Sequence, residues 1–198
     1  MITNSLARLL LFGFVMVTVA GCGTSSPSHF YTLDATATSE GAADTAISVV
    51  VGPVSLPASV DRPQFVIQLA PNQVSIDEFH RWAAPLDDNI VQVIAGNLAV
   101  LLGTSQVARA QYVDFTPTYR VTIDIQRFES IPEKTALIDA LWSVRKTTGG
   151  QTQSGHTLAR EPVQGKDYDS LAAAHSRALL QLSHDIAAAI QAEQSKKP

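Results

Sequence analysis

The sequence predicts an α/β fold in which a single mixed β-sheet is packed by helices. Residues 86–102 and 169–193 carry apolar side chains at helical spacing. Residues 118–128 instead alternate apolar and polar side chains, as a half-exposed strand does. The order of elements is strands, helix, antiparallel strands, helix. Five or six strands are expected in all, which is enough for one sheet in one domain.

The chain before the first helix begins with two predicted strands and a linker. Residues 29–33 are rich in aromatic and β-branched side chains and predict a short strand. Residues 34–46 have little to bury and resemble a linker. Residues 47–54 form a near-continuous apolar run, typical of a strand covered on both faces. Because Pro53 cannot donate a ladder hydrogen bond, the strand should end or bulge there.

A hairpin and the first helix are expected next. Residues 64–69 and 73–76 are strand-like and are separated by a Pro-Asn turn signal. The acidic start of residues 77–82 predicts a helical turn. The helix over residues 86–102 has two aspartates in its first turn, and Gly103 suits its C-terminal cap.

The second half of the chain predicts antiparallel strands followed by a long helix. The alternating strand over residues 118–128 is followed by a turn at residues 131–134 and by a second alternating run over residues 136–144. A hairpin is the simplest arrangement of these two strands. Residues 157–163 can add a third strand, and residues 169–193 form the amphipathic terminal helix.

The N-terminus resembles a bacterial lipoprotein signal. Residues 9–20 form an apolar core that suits a signal peptide and is too short to span a bilayer comfortably. The run Val19-Ala20-Gly21-Cys22 resembles a lipobox, whose cysteine receives a diacylglycerol and becomes the new N-terminus after cleavage. An ordinary secretory signal and a membrane-anchoring helix are the weaker alternatives, and no stop-transfer charge cluster follows the run.

Four segments are therefore expected: a signal peptide over residues 1–21, a lipidated tether over 22–29, a domain over 30–193 and a frayed tail over 194–198.

The composition of the mature chain excludes several kinds of site and partner. The removed segment contains a single charged residue, which is basic, so 14 basic residues become 13 against 18 acidic, a net charge of −5. No basic stripe is present, which argues against nucleic acid as a partner. With the only cysteine acylated, disulfides and cysteine-rich metal sites are excluded.

Catalytic and metal-binding patterns are missing from the sequence. None of the five histidines has metal-ligand spacing beside a carboxylate. His184 beside Asp185 has the composition of an oriented base, but no nucleophile motif accompanies it. Gly149-Gly150 indicates a turn rather than a phosphate-binding loop. We therefore predict a protein that is not an enzyme and needs no cofactor and no metal.

Several segments together resemble a known family. The run Glu78-Phe79-His80-Arg81-Trp82-Ala83-Ala84-Pro85-Leu86-Asp87 is the most specific of them. Four more agree in order, over nearly all of residues 29–191: Phe30 to Leu33, Val51 to Gln64, the strands around Phe128-Glu129 and Leu141-Trp142, and the Ala/Leu-rich terminal helix. They resemble the PqiC family, auxiliary lipoproteins of ABC-type lipid transport systems.

This resemblance implies a three-layer α/β fold with a mixed sheet and a non-enzymatic role beside an MCE-domain protein and an ABC permease. The lipoprotein would dock a periplasmic lipid conduit at the outer membrane, held on the periplasmic face by acyl chains such as palmitate. In lipoproteins of this type an aspartate after the cysteine favours the inner membrane, and Gly23 stands there instead. A homo-oligomeric ring would suit a symmetric conduit, but no residue indicates one.

Three side chains are candidate partner contacts: Arg81, Trp82 and Arg62. Arginine and tryptophan dominate interface hot spots, although internal packing is the simpler explanation for Trp82. Two other functions also fit the sequence. One is a lipoprotein that shuttles lipid in its own cavity, and the other is a lipoprotein that activates another envelope enzyme.

Overall fold

The computed structural model describes residues 26–38, 46–110 and 116–195. This part of the chain holds eight strands and two helices. They are β1 (His29–Tyr31), β2 (Val49–Ser55), β3 (Gln64–Ala70), β4 (Gln73–Trp82), α1 (Leu86–Leu102), β5 (Val107–Arg109), β6 (Tyr119–Ile131), β7 (Thr135–Lys146), β8 (Thr152–Pro162) and α2 (Tyr168–Ser195).

The predicted α/β class is confirmed, but the strands form two sheets rather than one. The large sheet has the order β5-β2-β6-β7-β8, and the small sheet has the order β1-β4-β3. Both are mixed: β2 pairs parallel to β5 and β6, while β6, β7 and β8 form an antiparallel meander. The small sheet combines parallel β1 with the antiparallel β3–β4 hairpin and contacts the large sheet through β3 and β6.

The two helices lie side by side over the large sheet. Helix α1 packs on β2 and β5, α2 packs on β7 and β8, and the helices contact each other. The alternation predicted for β6 is confirmed, because every second residue from Tyr119 to Ile125 is buried. Both predicted helices are confirmed as well. Gly103 ends α1 in the left-handed conformation with φ 60°, and the amide of Thr104 donates to the carbonyl of Ala99 at 3.0 Å.

An end or a bulge of the strand is predicted at Pro53, and the structure shows the bulge. Strand β2 keeps a regular register with β6 as far as Val51 and resumes it at Val54. Gly52, inside the bulge, has a φ of 113°, a conformation that side chains with a Cβ rarely adopt. The first four residues of β2 are fully or almost fully buried, as the apolar run predicts.

The helical turn predicted over residues 77–82 is wrong. These residues continue β4, which lies between β1 and β3 in the small sheet. The side chain of Asp77 does accept local hydrogen bonds, from the amides of Phe79 at 2.9 Å and His80 at 3.1 Å. In sequence this resembles a helix cap, but here it stabilises a bulge, because Gln64 pairs with Arg81 while Phe65 pairs with Asp77.

The linker predicted over residues 34–46 is ordered at its start. Residues 33–37, which we term the strap, are held by side chains of both helices. The amide of Leu33 donates to Asn89 at 2.8 Å, and the amides of residues 36 and 37 both donate to Asn97 at 3.0 Å. The amide of residue 34 donates to Ser176 of α2 at 3.1 Å. Residues 39–45 lie outside the described part of the chain.

Asn97 is expected to stabilise the strap more than any other side chain. It is fully buried and also donates to Ser183 of α2 at 3.2 Å. Asn97→Ala leaves two strap amides and one hydroxyl without this partner, so the free energy of unfolding should fall by about 1–3 kcal/mol. Chemical denaturation measures the loss, and hydrogen exchange should accelerate at residues 36 and 37. Asn72→Ala, in the exposed β3–β4 turn, is the matched control and should change neither quantity.

Candidate docking site

The structure brings two of the predicted contact residues together and separates the third from them. Arg62 and Trp82 line one groove, which we term the Arg62 groove. Arg81 precedes Trp82 in β4, and successive strand residues point to opposite faces of a sheet. Its side chain therefore lies on the other face of the small sheet. Cys22, the predicted lipidation site, lies outside the described residues.

The Arg62 groove has a volume of about 370 Å³ and runs between the β2–β3 loop and the start of α1. Trp82 is only 5 % exposed and lines its interior. The guanidinium Nε of Arg62 is buried and has no hydrogen-bond partner in the part of the chain that the structure describes. The groove residues are Asp61, Arg62, Pro63, Trp82, Ala83, Ala84, Pro85 and Leu86.

Backbone hydrogen bonds position both sides of this groove. The amides of Val60 and Asp61 donate to the carbonyl of Pro57 at 3.0 and 3.1 Å and close a turn in the loop. The amide of Trp82 donates to the carbonyl of Pro63 at 2.7 Å, which ties the loop to the end of β4. The Pro-punctuated segment is thus a fixed wall rather than a free loop.

Contacts with other aromatic rings hold Trp82 in place. Its ring centroid lies 4.3 Å from that of Phe65, with the ring planes 25° apart, and 6.2 Å from that of Phe128 in a T-shaped contact. Phe128 in turn stacks on the imidazole of His175, with the ring centroids 3.9 Å apart. The tryptophan therefore acts as a rigid base for the groove. Internal packing, the simpler of its two predicted roles, accounts for most of its surface.

A second aromatic cluster lies where β1 and β4 meet α2. The hydroxyl of Tyr31 is 2.5 Å from Nδ1 of His80, and the imidazole stacks on Tyr168 with centroids 3.9 Å apart. Tyr168 donates its hydroxyl proton to Asp77 at 2.8 Å. Burial, and then this hydrogen bond, raise the pKa of the Tyr168 hydroxyl. Burial opposes ionisation of Asp77, but bonds from Tyr168, Phe79 and His80 outweigh it and lower the pKa of that carboxyl.

Sequence reasoning missed this cluster because its members are far apart in the chain. The one available signal in the sequence is that His80 follows the acidic pair Asp77-Glu78, and this pattern by itself predicts a cap or a surface ion pair. The imidazole instead connects β1, through Tyr31, to the first turn of α2, through Tyr168. The cluster joins the strand that follows the tether to the main helical layer.

His175 makes the stability of the fold depend on pH. Full burial lowers the pKa of its imidazole to about 3, and Nε2 lies 2.8 Å from the hydroxyl of Ser130. As the pH falls, the His175 imidazole of the unfolded chain therefore binds a proton near pH 6.5, whereas that of the folded chain remains neutral. The contribution of this imidazole to the free energy of unfolding should therefore be fully present above pH 6.5. It should fall by about 2 kcal/mol between pH 6.5 and pH 5.

Denaturant unfolding at pH 7, 6 and 5 measures this slope. His175→Phe should flatten it between pH 5 and 6.5, because no buried imidazole remains to be protonated. His184→Gln, at an exposed position of the same helix, is the matched control and should retain the wild-type slope. An unchanged slope in His175→Phe would assign the pH dependence to other groups.

The described residues also place the polar groups that sequence had singled out. The carboxylate of Asp185 accepts a hydrogen bond from Thr157 at 2.5 Å, and Thr157 accepts one from the indole of Trp142 at 3.0 Å. Asp185 is thus engaged in linking α2 to the large sheet. Among the residues described, no group of three or more His, Cys, Asp or Glu side chains could hold a metal ion.

Comparison with known proteins places this two-sheet α/β domain among transport accessory proteins of the cell envelope. The family model for the ABC-type transport auxiliary lipoprotein component matches residues 31–187, and the chain belongs to that family. Membership implies association with an ABC transport system and attachment to a membrane of the envelope. A search of curated proteins found no match. No helix within the described ranges is both long and apolar enough to cross a membrane.

Solved structures agree with the fold. A protein from Xanthomonas campestris described as family DUF330 is 19 % identical, with a TM-score of 0.71 over 86 % of this chain and 100 % of its own. A crystal structure described as an uncharacterized protein is 20 % identical, with a TM-score of 0.68 over 83 % of this chain and 99 % of its own. A PelC dodecamer from Paraburkholderia phytofirmans reaches a TM-score of only 0.41 at 13 % identity, too low to bear on assembly.

Proposed function

We propose that this protein is a non-enzymatic adaptor, anchored through Cys22 to the periplasmic face of the outer membrane, that docks the MCE-type conduit of an ABC lipid transport system. Family membership supports the association with a transporter. The lipobox-like run ending at Cys22 supports the anchor, and Gly23 supports the outer membrane over the inner one. The observation that carries the docking role is the Arg62 groove.

The anchor supplies attachment and local concentration. Burying acyl chains contributes about 0.8 kcal/mol per CH₂, so several chains hold the protein at the membrane effectively permanently. Confinement beside the membrane then raises the effective concentration of the domain near the conduit. Attachment to the membrane is the first binding step, and binding of the groove to the conduit is the second. Modest affinity of the groove is sufficient, because an anchored domain no longer has to reach the conduit by free diffusion.

The chemistry of the groove suits a protein segment with an apolar side chain next to an acceptor. The interior offers an indole and apolar side chains, while the buried Nε of Arg62 offers a donor that nothing in the described chain satisfies. Buried donors are normally paired, so an acceptor from a partner would remove an energetic cost. Tryptophan and arginine in one desolvated pocket are typical of an interface hot spot.

Arg62→Glu should weaken binding to the conduit protein by about 2 kcal/mol, or roughly 30-fold, because it replaces the donor with a negative charge. The measurement is a titration of the acylated protein in detergent with the purified MCE-domain partner. Arg160→Glu makes the same charge change at an exposed position on β8 and is the matched control. Equal affinities of the two variants, with folding intact by circular dichroism, would remove the groove from the proposal.

Tight packing favours the adaptor over a lipid shuttle. A shuttle needs an apolar cavity of several hundred Å³ that encloses its lipid. Between the helices and the large sheet this space is filled by fully buried side chains of both helices, among them Ile90, Ile94, Leu98, Leu179, Leu182 and Ile186. The 440 Å³ groove on the outer face of the large sheet is open to solvent.

A further inference from the structure

Exposed apolar side chains are concentrated on the small sheet. Of the seven large apolar side chains that are exposed in the described chain, five lie on β1, β3 and β4. Phe30 on β1 is the most exposed at 64 %, and Phe79 on β4 is 43 % exposed. Soluble surfaces seldom cluster such side chains without a binding role. Among the described residues, the small sheet is therefore the strongest candidate for a binding surface formed by exposed apolar side chains.

A cation lies beside the most exposed aromatic ring. Phe30 and Arg81 are direct partners in the parallel register of β1 and β4, so their side chains share one face of the sheet. The guanidinium of Arg81 forms no hydrogen bond and no ion pair with the residues that the structure describes. Phe79 lies two residues before Arg81 in β4, so its ring points to the same face of the sheet. Aromatic rings with an adjacent arginine are typical of surfaces that lie in the headgroup region of a bilayer.

The length of the tether determines which side of the domain meets the membrane. Phe30 follows Cys22 by eight residues, which span at most about 29 Å when fully extended. A domain of about 170 residues has a radius of gyration near 15 Å and a width of roughly 40 Å. Because the tether is shorter than this width, a chain held at Cys22 keeps β1 on the membrane side.

We propose that Phe30, Phe79 and Arg81 form a lipid-contact face, with the two rings among the headgroups and the guanidinium on a phospholipid phosphate. This inference rests on the anchor of the proposed function. It also separates two roles within one strand. Arg81 faces the bilayer, while Trp82 points to the opposite face and supports the Arg62 groove, which stays open to a protein partner.

Lipid quenching tests the contact directly. The acylated protein is reconstituted into phosphatidylethanolamine and phosphatidylglycerol vesicles carrying doxyl-labelled lipid. Phe30→Cys and Phe79→Cys variants carry an environment-sensitive fluorophore, which reacts only at the new thiol because Cys22 is blocked. Leu141→Cys, 47 % exposed on the large sheet, is the matched control. Doxyl lipid should quench the labels at positions 30 and 79 and leave the label at 141 unchanged.

The outcomes distinguish this inference from the function on which it rests. Protein that does not float with the vesicles overturns the anchor, and the lipid contact with it. Protein that floats with unquenched labels at 30 and 79, or with equal quenching at 141, overturns the lipid contact alone. Arg81→Glu should reduce quenching at position 79 in vesicles rich in phosphatidylglycerol, while Arg81→Lys should retain it. Equal quenching in these two variants would remove Arg81 from the face.

Discussion

Replacing Trp82 with alanine should lower the free energy of unfolding by about 3–5 kcal/mol, a large part of the stability of a domain of this size. The indole is 5 % exposed and stacks on Phe65, so its removal leaves a cavity between the small sheet and the core. Phe128, which forms a T-shaped contact with the indole, loses a partner as well. Urea denaturation measures the loss.

Two further variants test whether the loss of stability comes from the buried indole. Trp82→Phe keeps an aromatic ring on Phe65 and should cost much less than the alanine variant. Phe30→Ala removes a ring that is 64 % exposed and should stay within about 0.5 kcal/mol of the wild type. If Trp82→Ala were as stable as Phe30→Ala, the tryptophan would not support the groove in the way that its burial indicates.

Replacing Cys22 with serine should remove the protein from the outer membrane. Serine cannot carry the thioether-linked diacylglycerol, and the lipid-contact face alone is too small to replace several acyl chains. Fractionation should therefore no longer find the variant in the outer membrane: it should be soluble in the periplasm, or remain at the inner membrane as a precursor held by its uncleaved signal peptide, and radiolabelled palmitate should no longer be incorporated. Ser28→Ala, in the same tether, should remain membrane-bound and labelled.

The residue after the cysteine provides an independent test of destination. Gly23→Asp should move the acylated protein toward the inner membrane, because aspartate at this position favours retention there in lipoproteins of this type. Separation of the two membranes on a density gradient measures the shift. A wild-type protein that already co-sediments with the inner membrane would contradict the proposed location while leaving the anchor intact.

Local patterns predicted the elements whose contacts are mainly local. The bounds of α1 follow from the apolar spacing between Leu86 and Leu102 and from Gly103, all of which lie within one segment. The β6–β7 hairpin follows from two alternating runs joined by a short turn. In each case the signal and the structure that it specifies lie within about 30 residues of each other.

The small sheet could not be predicted in this way because its pairing is long-range. His29 pairs with His80 across 51 residues, and this pairing turns residues 77–82 into a strand although their start resembles a helix cap. The strap was missed for the same reason. Its own side chains are small, and the groups that hold it are Asn89 and Asn97 on α1 and Ser176 on α2.

The candidate site was predicted in part. Sequence selected Arg62, Arg81 and Trp82 by residue type and by family resemblance, but could not say which of them share a surface. Only the strand assignment of residues 77–82 places Arg81 and Trp82 on opposite faces, and only the β2–β3 loop brings Arg62 to the indole. The exposed rings of Phe30 and Phe79 gave no signal, because apolar residues in strands are usually buried.

The proposed function requires that the Arg62 groove binds a component of an ABC transport system while Cys22 holds the domain at the membrane. Site-specific photo-crosslinking in intact cells tests it most directly, with the crosslinking residue placed in turn at position 62 and, as the control, at exposed position 160. We expect a crosslink from position 62 to the MCE-domain protein that is lost in Cys22→Ser cells, and none from position 160. Crosslinks from position 62 only to another copy of this chain, or equally from both positions, would contradict it.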